Sequence, residues 1–367
     1  MVRRLNVGLV FNLKAETEED LSGSEADSSV GGAEKAVLVA PPTKAEKTRT
    51  DTYAEWDTQE TIDAVRAALS RKHDVTPIEA NEEAFERLRT TRPDIVFNIA
   101  EGLNGASREA QLPAIYEMLG IPYTGSDPVT LGICLDKSRT KEILSYHRVP
   151  TPAFVVVRSA EELSLTDMPL PAIVKPLHEG SSKGIYDNSV VRTAADLFER
   201  VKTVVDTYHQ PALVEQFLPG REFTVALLGN GSDLTVFPII ETRFDSLPPG
   251  VNPIYSYEAK WIWDQQDHPI DVHECPARLE ESLKQEIEWV CRRAFEVLGC
   301  RDWCRVDVRL DEHGKPHIIE LNPLPGILPD PQDHSCFPLA ARTGGLAYDE
   351  MLNAVLEAAA RRSGLLQ

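Results

Sequence analysis

Early in the chain, short apolar blocks alternate with amphipathic stretches. Residues 5–11 are a block rich in Val and Leu, the pattern of a buried strand. Ile62, Val65, Ala68 and Leu69 then recur at helical spacing. Asp57, with Glu60 three residues on, has the form of a capping box opening that helix. Residues 73–78 read as a strand, 81–90 as a helix and 94–100 as a buried strand. Strands separated by helices favour a parallel sheet, whose neighbours need long crossovers. Ligands of such sheets sit beyond the carboxyl ends of the strands. The loop holding Glu101, Gly102, Asn104 and Gly105 is therefore a site candidate.

Further on, 109–119 reads as a helix stopped by Gly120, and 137–147 as a helix ending before Pro150. Strands are expected at 154–157, 172–175, 213–217, 222–228, 234–240, 306–310 and 316–321, and helices at 278–298 and 347–361. Residues 15–35 are Glu, Asp, Ser and Gly with few large apolar groups, and Pro41-Pro42 follows. That composition predicts a long acidic loop over 15–50, with one apolar run at 36–40 that suits an extra strand. The fold class is α/β. Three domains are expected: an N-terminal parallel α/β unit at 1–134, a small central unit at 135–228 and a C-terminal unit at 229–367.

Composition narrows the function. Apolar residues are 42% and charged residues 26% of 367, enough for more than one core. The formal charge of −20 argues against nucleic acid or an anionic membrane, which need a basic footprint. No stretch has the length and apolarity of a membrane span. The first residues read as a strand and not as a signal peptide, so a cytoplasmic protein is expected. The six cysteines are scattered, the usage of reduced thiols. Cys300 and Cys304 could share one helical turn, but no further Cys or His lies at ligand spacing.

Arg305 and Asp307 fall on one face of an expected strand, and Glu320 and Asn322 on one face of the next. Three oxygen donors on one surface suit Mg²⁺, and an arginine beside them suits a developing anion. A solvated, ion-paired sheet face would have the same spacing. Lys175 precedes Glu179-Gly180-Ser181-Ser182-Lys183-Gly184. Glycine and serine with backbone N–H groups can cradle phosphate, and lysine supplies a point charge. An ordinary hairpin turn has similar composition. Lys137, Lys260, Glu215 and Glu222 taken singly read as surface charges.

Taken together and in this order, five segments resemble the ATP-grasp superfamily, and within it the D-alanine–D-alanine ligase family. They are GIPYTGSD…CLDKSRTK (120–141), VKPLHEGSSKGI (174–185), VEQFLPGREFTV (214–225), YSYEAKW (255–261) and CRVDVRLDEHGKPHIIELNPLPG (304–326). The resemblance implies an N-terminal parallel-sheet (pre-ATP-grasp) domain and two α+β subdomains clasping ATP. It implies an enzyme that joins a carboxylate to an amine through an acyl-phosphate and releases ADP. Lys137, Lys175 and Lys260 match phosphate-binding lysines, and Glu179, Ser181 and Ser182 lie in the loop that closes on the phosphate. Glu215 matches the carboxylate at the adenine amine, Gln216, Phe217 and Leu218 the hinge, and Glu222 the ribose-binding glutamate. Asp307, Glu320 and Asn322 match ligands of two Mg²⁺ ions, for which Mn²⁺ could substitute. Arg305 and the Gly326 N–H match the oxyanion-stabilising pair. Glu55 corresponds to the glutamate that grips the first substrate's ammonium, with Asp57 as its rival in position, and Ser335 to the serine at the second substrate's carboxylate. Small amino-acid-like substrates and a homodimer through the N-terminal domain are implied as well.

Two departures lie on the substrate side. Trp261 replaces the tyrosine usual after the loop lysine, and the glycine- and acid-rich segment before residue 120 reads Ala106-Ser107-Arg108-Glu109. Arg108 adds a cation there. Three readings stand: a D-alanine–D-alanine ligase serving cell-wall synthesis, a related ligase with other substrates, and a nucleotide-binding module without catalysis. The complete set Arg305, Asp307, Glu320 and Asn322 speaks against the third.

Overall fold

The computed structural model describes residues 4–14, 55–165, 168–259, 272–333 and 335–366. The expected acidic loop at 15–50, its strand at 36–40, Lys260 and Trp261 lie outside the described residues.

The chain opens with β1 (Asn6–Phe11), α1 (Gln59–Ser70), β2 (Asp74–Glu79), α2 (Ala84–Thr91), β3 (Ile95–Asn98) and α3 (Gln111–Leu119). The three strands are parallel in the order β2–β1–β3. The helical repeat of the sequence is the buried face of α1, which includes Ile62, Val65, Ala68 and Leu69. Its cap is Thr58, whose hydroxyl accepts from the Thr61 N–H at 3.3 Å. Asp57, expected as the cap, instead pairs with the chain leaving β1: its N–H donates to the Asn12 carbonyl at 3.1 Å, and its carbonyl accepts from the Lys14 N–H at 2.8 Å.

Two helices follow, α4 (Pro128–Leu135) and α5 (Lys137–Tyr146). The periodicity did not predict α4, although its start has a clear signal. Asp127 accepts from the Thr130 N–H at 2.9 Å, and Pro128 sits in the first turn, where its missing donor costs nothing.

The small sheet is built from β4 (Phe154–Val157), β5 (Ala172–Pro176), β6 (Val190–Val191) and, after α6 (Ala194–Tyr208), β7 (Ala212–Gln216), in the order β4–β7–β5–β6. Leu197, Val201 and Val204 of α6 cover its core. The large sheet contains β8 (Glu222–Leu228), β9 (Thr235–Val236), β10 (Ile240–Thr242) and β11 (His273–Glu274). After α7 (Glu281–Leu298) come β12 (Trp303–Leu310) and β13 (Pro316–Asn322). Its order is β11–β10–β8–β12–β13, with β9 on β8. The chain closes with α8 (Cys336–Thr343) and α9 (Tyr348–Arg362).

Four further expectations need correction. The expected limit at 228 assigns β8 to the central unit, but β8 bonds to β12 along its whole length and belongs to the large sheet. The limit at 134 does not separate cores. Cys134 and Leu144 pack with Ile287 and Val306, and Val65 and Leu69 pack with Met351 and Val355. The single strand expected at 234–240 is two short ones interrupted around Pro238, which has no N–H to donate. Cys300 and Cys304 share no helical turn, since Cys304 lies in β12.

Candidate active site

A cleft of about 750 Å³ is lined by the small sheet, the large sheet and the loops beyond β1 and β3. On its large-sheet wall, β12 and β13 pair in a register that sets Arg305 opposite Asn322 and Asp307 opposite Glu320. All four side chains line the cleft. Asp307 accepts from Arg305 Nη2 at 3.1 Å, from Asn322 Nδ2 at 3.2 Å and from the Thr224 hydroxyl at 2.8 Å. Thr224 stands opposite Asp307 on β8, so three strands converge on one carboxylate. Glu320 pairs with Lys137 Nζ at 2.9 Å. Arg305 Nε is buried without a hydrogen-bond partner among the described residues. Such a donor is costly unless a ligand meets it.

A buried cage lies behind this patch. Glu215 Oε2 is 2.6 Å from Lys175 Nζ, and Oε1 is 2.5 Å from Lys141 Nζ. Burial would raise the Glu215 carboxyl, but the two ammonium groups hold it down to about 2. Both lysines are buried, and Lys175 and Glu215 line the cleft. Gln216, Phe217 and Leu218, expected as the hinge, line it too, with the Gln216 and Phe217 N–H groups donating to the Ala153 and Pro171 carbonyls at 2.9 and 3.0 Å. Glu222 is braced by Arg309 at 2.7 Å, whose guanidinium also lies 4.9 Å from the Phe217 ring centre.

The glycine–serine loop joins β5 to β6. Ser181 (φ 50°) and Ser182 (φ 59°) are both left-handed, and Ser182 donates to the Tyr255 carbonyl at 3.0 Å. Two consecutive non-glycine residues in that region carry strain, which concentrates at ligand clamps. Across the cleft, Glu55 accepts from the Gly180 N–H at 2.9 Å, from Lys183 Nζ at 2.8 Å and from Arg108 Nη2 at 2.9 and 3.1 Å. A Cβ at Gly180 would collide with the Glu55 carboxylate as it is placed, so glycine lets the two approach without displacing it. Burial would raise the Glu55 carboxyl, but Lys183 and Arg108 outweigh it and hold it at about 2.

Ser335 and Gly326 also line the cleft. The Ser335 hydroxyl donates to the Gly326 carbonyl at 3.0 Å and accepts from the Leu328 N–H at 3.2 Å, tying down the loop after β13. Among the described residues, no atom beyond its chain neighbours lies within 4 Å of where a Cβ on Gly326 would stand.

Two residues expected at the phosphate, Lys137 and Glu179, stand behind the lining of the cleft, as Lys141 and Lys183 do. The Lys137 ammonium is held by Glu320 and the Glu179 carbonyl. The Glu179 carboxylate is held by Lys183 at 2.8 Å and Gln210 Nε2 at 2.8 Å. Buried charges take partners, and these found them within the protein. The sequence reading missed Lys141, Arg309, Thr224 and Lys183 as members of the site. Lys141 had a signal, one helical turn beyond Lys137. Arg309 and Thr224 had one also, at period two from Asp307 and Glu222. Lys183 had none.

Among the described residues, no three His, Cys, Asp or Glu side chains gather as a metal cluster. Asp307, Glu320 and Asn322 offer two carboxylates and an amide oxygen. That donor set fits Mg²⁺, which binds through one or two carboxylates and completes its octahedron with water and phosphate.

Two sheets closing on a cleft, one carrying a loop of phosphate-cradling type and the other a carboxylate–arginine patch, define an ATP-grasp ligase. The family described as D-ala D-ala ligase C-terminus matches residues 144–357. A Bordetella pertussis D-alanine–D-alanine ligase is 36% identical over 299 residues, 80% of this chain and 87% of that protein. The uncharacterized protein y4sG of Sinorhizobium fredii is 37% identical over 316 residues, 84% of this chain and 89% of that one. A Bacillus anthracis D-alanine–D-alanine ligase structure superposes with TM-score 0.69 at 21% identity, covering 98% of this chain and 99% of that one. A second structure of that enzyme, complexed with ATP, superposes with TM-score 0.65 at 20% identity over the same shares. The chain belongs to the D-alanine–D-alanine ligase family of ATP-dependent, ADP-forming ligases.

Proposed function

We propose that this protein uses ATP to activate a small carboxylic acid as its acyl-phosphate and couples it to the amine of an amino acid. The observation that carries the proposal is the register of β12 and β13, which aims Arg305, Asp307, Glu320 and Asn322 into the cleft. The nucleotide is held at the hinge 216–218, with Glu215 near the adenine amine and Glu222 at the ribose. Lys175, fixed by Glu215, is a preset positive charge for phosphate oxygens.

Asp307, Glu320 and Asn322 would hold Mg²⁺, two ions or Mn²⁺ in their place. Bound there, the metal supplies neutralisation of phosphate charge during transfer. The residues of the chain do the rest. Ser181 and Ser182 close over the transferred phosphoryl group, and the closed loop keeps water from the acyl-phosphate. The donor carboxylate oxygen takes the γ-phosphoryl group and ADP departs. The amine then attacks the acyl carbon. Arg305 and the Gly326 N–H bind the oxyanion of that tetrahedral state, phosphate leaves with the carboxylate oxygen, and the amine proton is released. Ser335 holds the loop that receives the acceptor's carboxylate. We place the division between the small unit and its neighbours near residues 154–216, and pairing of two copies through the N-terminal sheet is part of this reading.

The curated relatives support D-alanine as both substrates, the reaction of cell-wall precursor synthesis. A second reading, a donor other than D-alanine, is supported by Glu55, which Arg108 and Lys183 already occupy. Phosphate release by purified protein with ATP and Mg²⁺ separates them. Release with D-alanine alone supports the first; release that requires another acid supports the second. Binding of ATP with no release across a broad panel of acids and amines would contradict catalysis altogether.

A further inference from the structure

The end of the cleft beyond β1 and β3 is lined by four acidic residues, Glu55, Asp57, Glu101 and Glu109. By count alone it is a pocket for an ammonium group. The contacts say otherwise. An ionised carboxylate has about four acceptor positions, and Glu55 already receives four bonds, two from Arg108, one from Lys183 and one from the Gly180 N–H. Its side chain is 8% exposed, and those of Arg108 and Lys183 are 11% and 8% exposed. Arg108 is itself pinned, since Nη1 donates to the His178 carbonyl at 2.9 Å. Lys183 is shared between Glu55 and Glu179, each at 2.8 Å. Two cations and two anions thus close on one another across the N-terminal unit and the glycine–serine loop.

The remaining acids of that end carry less than full charge at neutral pH. Burial raises Asp57 and Glu109 to about 7, where each is about half ionised, and raises Glu101 well above its ordinary value. Lys14, which also lines this end, has no ion pair among the described residues. Among the described residues, an incoming ammonium would find Glu55 already filled, two fixed cations behind it and Lys14 on the wall. A hydroxyl or an acylated nitrogen meets no such opposition.

We propose that Arg108 and Lys183 set donor specificity: by saturating Glu55 they make the donor pocket select a carboxylic acid with an uncharged α-substituent, a 2-hydroxy acid or an N-acylated amino acid, over one with a free α-ammonium. This rests on the ligase reading above and deepens it. The acceptor pocket, at Arg305, Gly326 and Ser335, is untouched by the proposal.

The test uses the full-length protein with ATP, Mg²⁺ and hydroxylamine. Hydroxylamine intercepts an acyl-phosphate as the hydroxamate with loss of phosphate, so no acceptor need be known. Donors are matched pairs on one skeleton: D- and L-alanine, D- and L-lactate, and N-acetyl-D- and N-acetyl-L-alanine. The expected result is kcat/KM for an uncharged donor at least tenfold above that of the α-ammonium acid of the same skeleton. The double variant Arg108→Gln with Lys183→Met, which frees Glu55, should narrow or reverse that ratio, chiefly through KM. Efficient hydroxamate formation with free alanine in the wild type would overturn the proposal while leaving the ligase reading standing. An unaltered preference in a folded double variant would overturn the assignment to these two residues. Absence of hydroxamate with every donor would bring down the ligase reading, and this proposal with it. If the double variant does not fold, the wild-type comparison decides.

Discussion

The two walls of the cleft are built by different means. The large-sheet wall owes its chemistry to strand register: Asp307 faces Glu320 and Arg305 faces Asn322 across adjacent antiparallel strands, with a register shift just after Asp307. The opposite wall is assembled from residues 55, 108, 179 and 183, brought together only when the glycine–serine loop meets the N-terminal unit. The first wall is a rigid template that suits the chemistry common to the family. The second is an ion-pair closure whose members can change without disturbing any strand, and so it is where selectivity can vary.

The contrast can be broken most sharply on the template. Asp307→Ala or Glu320→Ala should lower turnover by roughly a thousandfold or more, since each removes a charged oxygen donor from the proposed metal site. ADP release measures this, and near-wild-type rates would remove those residues from the chemistry. Lys141→Met should cost about 3 kcal/mol of stability, because it leaves the fully buried Glu215 with one counter-ion of two. Denaturant unfolding reads the loss, and unchanged stability would mean that the cage is not an energetic unit. Arg305→Ala should cost about 3 kcal/mol in the transition state, roughly a hundredfold in kcat, with little change in KM for ATP. An unchanged kcat would assign Arg305 another task.

The effect that is smallest per step lies at the acidic end of the cleft and is one of pH. Burial raises Asp57 to about 7, so the folded protein keeps a proton that the unfolded chain sheds near its ordinary value. The folded state binds more protons between those limits, and stability therefore falls as pH rises from about 4 to 7 and levels off above. Asp57→Asn should remove up to about 1.4 kcal/mol per pH unit of that decline. Thermal unfolding at a series of pH values checks it, and an identical slope in the variant would assign the proton elsewhere.

Much of the template was legible in the sequence. Period-two spacing at 305/307 and 320/322 depends only on strand geometry, and the apolar repeat of α1 on helix geometry. Strand β8 was found residue for residue, yet assigned to the wrong sheet, because a strand's pattern does not name its partners. The cap of α1 was misread since Asp57 and Thr58 are both good capping residues, and the pairing of 57 with the chain after β1 decided between them. Arg108 was noticed as an added cation. That it closes on Glu55 beside Lys183 depends on contacts over 53 and 128 positions, which no local pattern encodes.

The most direct measurement of the central claim follows oxygen from donor to phosphate. With the donor's carboxylate labelled with ¹⁸O and the reaction run in ordinary water, transfer of the γ-phosphoryl group to the carboxylate predicts one ¹⁸O atom in each phosphate released. Phosphate without label would mean that water takes the γ-phosphoryl group, and that no acyl-phosphate forms in this cleft.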